Sequence, residues 1–97
     1  MFNKSNELTL KEAIEQLLNA YKMNGKINET RIIQAWDQVC GVMISKHTEN
    51  LYIQNRVLFV KVDSAALRNE LSYAKTKLVK ALNSTVKEEV ITEIVFS

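Results

Sequence analysis

The spacing of apolar residues changes period across residues 36–48, and this restricts the chain to mixed folds whose helical part comes first. Before that stretch, Leu10, Ile14, Leu17, Leu18 and Tyr21 recur at helical spacing, and Ile32, Ile33, Trp36 and Val39 do so again. After it, residues 51–54 and 57–63 alternate: Leu58, Val60 and Val62 fall on one face, Phe59 and Lys61 on the other. The stretch holds the only Trp, the only His, the only Cys and one of the two Gly residues.

Local signals divide the chain into elements. Thr9 and Glu12 form a capping box that opens a first helix over residues 10–23, with Asn24-Gly25 as its stop. Asn28 caps a second helix over residues 29–40, which ends at Gly41; residues 42–46 allow one further short helix. A β-hairpin follows around Asn55-Arg56. Arg at a positive φ is strained, so a tight turn and a longer loop both stay open. Asp63 or Ser64 caps the longest helix, to residue 82, with Leu67, Leu71, Ala74, Leu78 and Leu82 on its buried face. Asn83-Ser84 ends it, and residues 90–96 read as a last strand rich in β-branched residues. The expectation is an α+β domain with two N-terminal helices, a β-hairpin, a long helix and a third strand. The mixed three-stranded sheet has helices on one face, its last strand parallel to the second, and the order 2-1-3. Residues 1–8 read as a flexible N-terminus and residues 9–97 as a single domain.

Composition narrows the class. Ninety-seven residues, 46% hydrophobic and 25% charged, suit one globular domain rather than a disordered chain. A single Cys cannot close an intrachain disulfide, which suits a reducing compartment. The first residues lack the apolar stretch of a signal peptide, and no apolar run approaches the ~20 residues of a membrane span, so the expected location is cytoplasmic, with no membrane partner.

The chemistry-bearing residues are few. Nucleophilic catalysis would have to use Cys40 and His47, which on a helix lie about two turns, roughly 10 Å, apart. One His and one Cys cannot build a tetrahedral zinc site, and two glycines cannot make a phosphate-cradling loop. The expectation is therefore no enzyme and no cofactor or metal. Net charge is only +2, but residues 42–80 carry seven basic against three acidic side chains, and residues 81–97 are acidic on balance. A weak phosphate-contacting surface would draw on Lys46, Arg56, Lys61, Arg68, Lys75, Lys77 and Lys80, against the plainer reading of solvated helix faces. Tyr52 or Phe59 could stack on unpaired bases or simply pack on the sheet. Trp36 reads as a core residue or as an anchor for a partner. His47 and Thr48 read as the turn into the hairpin.

An ordered set of residues resembles a known family. Trp36 is followed by Gly41, then by His47-Thr48 and Leu51. The strand of residues 58–62 comes next, then Ser64-Ala65-Ala66-Leu67-Arg68-Asn69-Glu70-Leu71, Leu82-Asn83 and the ending Ile94-Val95-Phe96. Over residues 10–97 this resembles the DciA-type family of bacteria, long catalogued as a domain of unknown function. The resemblance implies a KH-like domain that helps load or operate the replicative DNA helicase, with that helicase and single-stranded or structured DNA as partners. It marks Trp36, Gly41, His47 and Thr48 as signature positions and leaves a homodimer open. Arg56 stands where the family often has Gly, and Leu67 where many members have Trp. Many members also carry a basic disordered segment, which residues 1–97 do not include. A Gly-x-x-Gly loop for clamping nucleic acid is missing. Two other readings stand beside this one: a protein–protein adaptor or small homodimer with no nucleic-acid role, and an RNA-binding module.

Overall fold

The computed structural model describes residues 9–97, so the expected flexible segment 1–8 lies outside the described residues. The helix α1 runs unbroken over Leu10–Cys40. Thr9 caps it by accepting the Glu12 amide, and the Thr9 hydroxyl donates to the Glu12 carboxylate at 3.0 Å. The stop expected at Asn24-Gly25 is not made, so the two expected helices are one. A glycine inside a helix costs only about 1 kcal/mol against Ala, and the helix is held just beyond it. Asn28 Nδ2 donates to the Glu88 carboxylate there, and Ile32 and Trp36 are buried.

Gly41, at φ 86° and ψ 171°, ends α1 where no side chain is comfortable. The short helix α2 (Val42–Lys46) follows, then the strands β1 (Thr48–Gln54) and β2 (Val57–Val62). They join through a two-residue turn in which Asn55 and Arg56 both take positive φ, so the tight turn is the one adopted. Ser64 caps α3 (Ala65–Ser72) by accepting the Leu67 amide at 3.2 Å. The expected long helix breaks at Tyr73-Ala74, whose amides close back on Glu70 and Leu71, and α4 (Lys75–Val86) starts afresh. The break lets α3 lie against β2 and the last strand, residues Glu93–Phe96, while α4 packs against α1. The strand β3 (Glu93–Phe96) completes the sheet.

The sheet order is β1-β2-β3, with β1 and β2 antiparallel and β2 and β3 parallel. The last strand is parallel to the second as expected, but it lies beside that strand, so the expected order 2-1-3 is wrong. The reason is visible in β2 itself: Val57-Leu58-Phe59-Val60 is apolar on both faces, as suits a central strand. The core gathers Ile32 and Trp36 from α1, Leu58, Val60 and Val62 from β2, Leu71, Leu82, Ile91 and Ile94. The molecule measures 64 × 21 × 20 Å because α1 outruns this core. Every residue from Thr9 to Asn24 is exposed.

Candidate functional site

The signature positions form one joint. Trp36 is fully buried, with Phe96 tilted against it at 6.4 Å. Its Nε1 donates to Thr48 Oγ1 at 3.1 Å, and that hydroxyl donates to the Ile44 carbonyl at 2.8 Å. His47 Nδ1 lies 2.7 Å from Asp63 Oδ1, and the Asp63 amide donates to the His47 carbonyl at 3.0 Å, pinning the start of β1 to the end of β2. Ser45 donates to the Asp37 carboxylate across the Gly41 break. These groups satisfy one another, and Trp36 offers no surface for a partner to grip.

Cys40 is half-buried beside this joint, and burial, with the Asp37 carboxylate adding, pushes its thiol up to about 11. That is opposite to what a nucleophile needs. Among the described residues, no group of three His, Cys, Asp or Glu side chains could hold a metal ion, and no helix is long and apolar enough to cross a membrane.

The basic residues divide by what they touch. Arg56 Nη2 donates to the Glu89 carbonyl at 2.7 Å, while the Arg56 carbonyl accepts the Thr92 amide at 2.8 Å. Arg68 Nη1 donates to the Val62 carbonyl at 2.6 Å. Lys61 lies on the sheet face away from the core, 3.6 Å from Glu49, an exposed pair of the kind that contributes ~0–1 kcal/mol. On that same face Tyr52 and Phe59 stack on each other at 4.8 Å. Lys46 ends α2. Lys75, Lys77 and Lys80 share the first half of α4.

Only two of the seven candidates line a common depression. Lys75 and Lys80 edge an open groove of about 890 Å³ between α4 and the edge strand β3. Val79 and Ile94 supply its apolar lining, and Lys87, Glu88, Glu89 and Glu93 its far rim. Lys77 projects from another side of α4. The first amides of α4 have no side-chain cap, so the helix begins with unpaired donors beside two lysines.

Thr76, Asn83, Lys87 and Thr92 also line the groove and were not among the sequence candidates. Residues 76, 80, 83 and 87 share one helical face, which is the signal that could have found most of them. Asn83 has a second task. Its Oδ1 accepts the amides of Val90 and Ile91, both at 3.1 Å, and its Nδ2 donates to the Ile91 carbonyl at 2.8 Å, shaping the return to β3.

Comparison with known proteins gives one family. The model of the family described as Dna[CI] antecedent, DciA, matches residues 9–96. It is a helicase-loader-type family with an accessory role in replication. No curated protein and no solved structure matches the chain significantly.

Proposed function

Because the chain belongs to the DciA family, we propose that it is a non-enzymatic DNA-replication accessory protein that binds the replicative helicase and holds DNA weakly at the start of α4. The family match over residues 9–96 carries this reading. Replication proteins of this kind work beside the chromosome, which agrees with a cytoplasmic location.

The choice of DNA surface rests on which cations are unengaged and lie together; Lys46 stands apart at the end of α2. Arg56 and Arg68 spend their guanidinium donors on backbone carbonyls, and Lys61 faces Glu49. Lys75 and Lys80 edge the groove beside the uncapped start of α4, where amide dipoles and ammonium groups would meet a phosphate together, and Lys77, on another side of the helix, would add to the local positive field. The arrangement β2–α3–α4–β3, with two parallel neighbouring strands joined through a broken helix, supports the KH-like expectation. Residues Leu71-Ser72-Tyr73-Ala74 occupy the break without a glycine. Contacts here would position a strand rather than read its bases.

The test is a titration of single-stranded DNA at several salt concentrations. Neutralising about three phosphates gives a log–log salt slope near −2. Lys75→Glu with Lys80→Glu should weaken binding at least ~10-fold. Binding insensitive to salt, or unchanged in that variant, sinks the DNA part of the reading. A second reading, a protein–protein adaptor, draws on the mixed charge of the groove, where Glu88, Glu89 and Glu93 face the lysines. It expects a protein partner and no DNA binding at low salt.

A further inference from the structure

We propose that the protruding first half of α1 pairs antiparallel with the same segment of a second copy. The proposal is independent of the helicase reading and starts from five side chains. Leu10, Ile14, Leu17, Leu18 and Tyr21 form one exposed stripe; Tyr21 borders the body, in a small depression shared with Arg56, Glu88, Glu89 and Val90, and Leu10, Leu17 and Tyr21 are 79%, 70% and 70% exposed. At 100° per residue the stripe lies on the same side of α1 as Ile32 and Trp36. The core-facing side of the helix thus continues past the end of the core, still apolar and exposed. Water tolerates scattered apolar side chains on a surface, but a contiguous patch of this kind marks an interaction site.

Three observations choose a second copy as the occupant. The first is charge. Between residues 10 and 22 the arm carries Lys11 and Lys22 against Glu12 and Glu15, a net charge of zero. Two arms therefore do not repel, whereas a strongly acidic or basic partner finds no opposing field. The second is area. The exposed surface of the five side chains on two copies together is on the order of 1,300 Å², at the lower end of the range for specific interfaces.

The third is steric and sets the direction. A parallel partner would carry its own Ile32 and Trp36 segment, with the body attached to it, into the first copy's α4, because stripe and core share one side of the helix. In an antiparallel pair each arm lies against the other arm, and the two bodies stand at opposite ends. Leu10 of one copy then lies opposite Tyr21 of the other, and Ile14 opposite Leu17, so the stripe is its own complement about a two-fold axis. Ala13 and Ala20, beside the stripe, let the two backbones approach closely.

Sedimentation equilibrium of the full chain tests the pairing. A micromolar monomer–dimer equilibrium is expected, and Leu17→Glu should raise the dissociation constant roughly 30-fold or more. Leu17 lies outside the core, so that variant should keep the helical circular dichroism and the Tm of dilute wild-type protein. Direction is read by cross-linking with Cys40 replaced by serine. A mixture of Leu10→Cys and Tyr21→Cys chains should form a disulfide-linked pair, while Leu10→Cys alone should not, since the two copies of that position stand ~16 Å apart. A chain that stays monomeric at high micromolar concentration overturns the proposal, as does a dimer indifferent to Leu17→Glu. Self-linking of Leu10→Cys overturns the antiparallel arrangement. A monomer whose Leu17→Glu variant loses the helicase overturns the second copy as occupant and assigns the arm to the helicase.

Discussion

The indole of Trp36 donates to Thr48 Oγ1 at 3.1 Å, which ties the last turns of α1 to the first residue of β1. The bond bridges the place where the chain changes from helix to strand, and Thr48 passes it on to the Ile44 carbonyl. Replacing the hydroxyl with a methyl group keeps the shape and removes the acceptor. Thr48→Val should therefore cost about 2 kcal/mol, mostly from an indole N–H buried without a partner. Thr48→Ser should recover most of it. Urea denaturation followed by Trp36 fluorescence measures both.

The two glycines should respond in opposite directions. Neither has a heavy atom within 4 Å of where a Cβ would stand, so space does not decide the outcome. Gly25 is inside a helix, and Gly25→Ala should stabilise the protein by about 0.5–1 kcal/mol. Gly41 has φ 86° with an extended ψ, and Gly41→Ala should destabilise it by about 1–3 kcal/mol. Thermal unfolding of the two variants side by side checks the sign.

Asn83 should matter more than its place near the end of a helix suggests. Asn83→Leu removes the acceptor for two amides and the donor to the Ile91 carbonyl, at a cost of about 2 kcal/mol. The loss should be local first. Hydrogen exchange at Val90, Ile91 and the β3 amides should quicken before that of β1.

Cys40 gives a pH dependence of known sign. Its thiol is pushed up to about 11 by burial and by the Asp37 carboxylate, above its unfolded value of about 9. The folded state holds the proton more tightly, so this contribution is complete below pH ~9 and is lost as pH rises toward ~11. Alkylation at pH 8 should be slow in the native protein and fast in denaturant. Cys40→Ala should flatten the alkaline decline in stability.

Legibility followed physical scale. The Thr9 cap, the Gly41 stop and the alternation of β2 are local patterns that appear as read, and of the two caps left open, Asp63 or Ser64, the fold uses Ser64. The joining of the first two helices was illegible because Asn24-Gly25 is a valid stop in isolation. Packing beyond it, through Ile32, Trp36 and the Asn28–Glu88 bond, decides otherwise. The break at Tyr73-Ala74 carries no Gly or Pro, and Leu67, Leu71, Leu78 and Leu82 fit one helix as well as two. Sheet order was readable in hindsight from Phe59, an apolar residue on the outward face of a strand with neighbours on both sides. For the basic candidates, sequence supplies charge but not engagement. Only the fold separates Arg56 and Arg68, bound to carbonyls, from the lysines that begin α4.

The account turns on association with the replicative helicase. The purified chain should be mixed with the hexameric helicase of the same cell and followed by sedimentation velocity at micromolar concentrations. The account predicts a faster-sedimenting complex that survives Lys75→Glu with Lys80→Glu, because those lysines are assigned to DNA. Free chain and free helicase sedimenting independently across that range would contradict it.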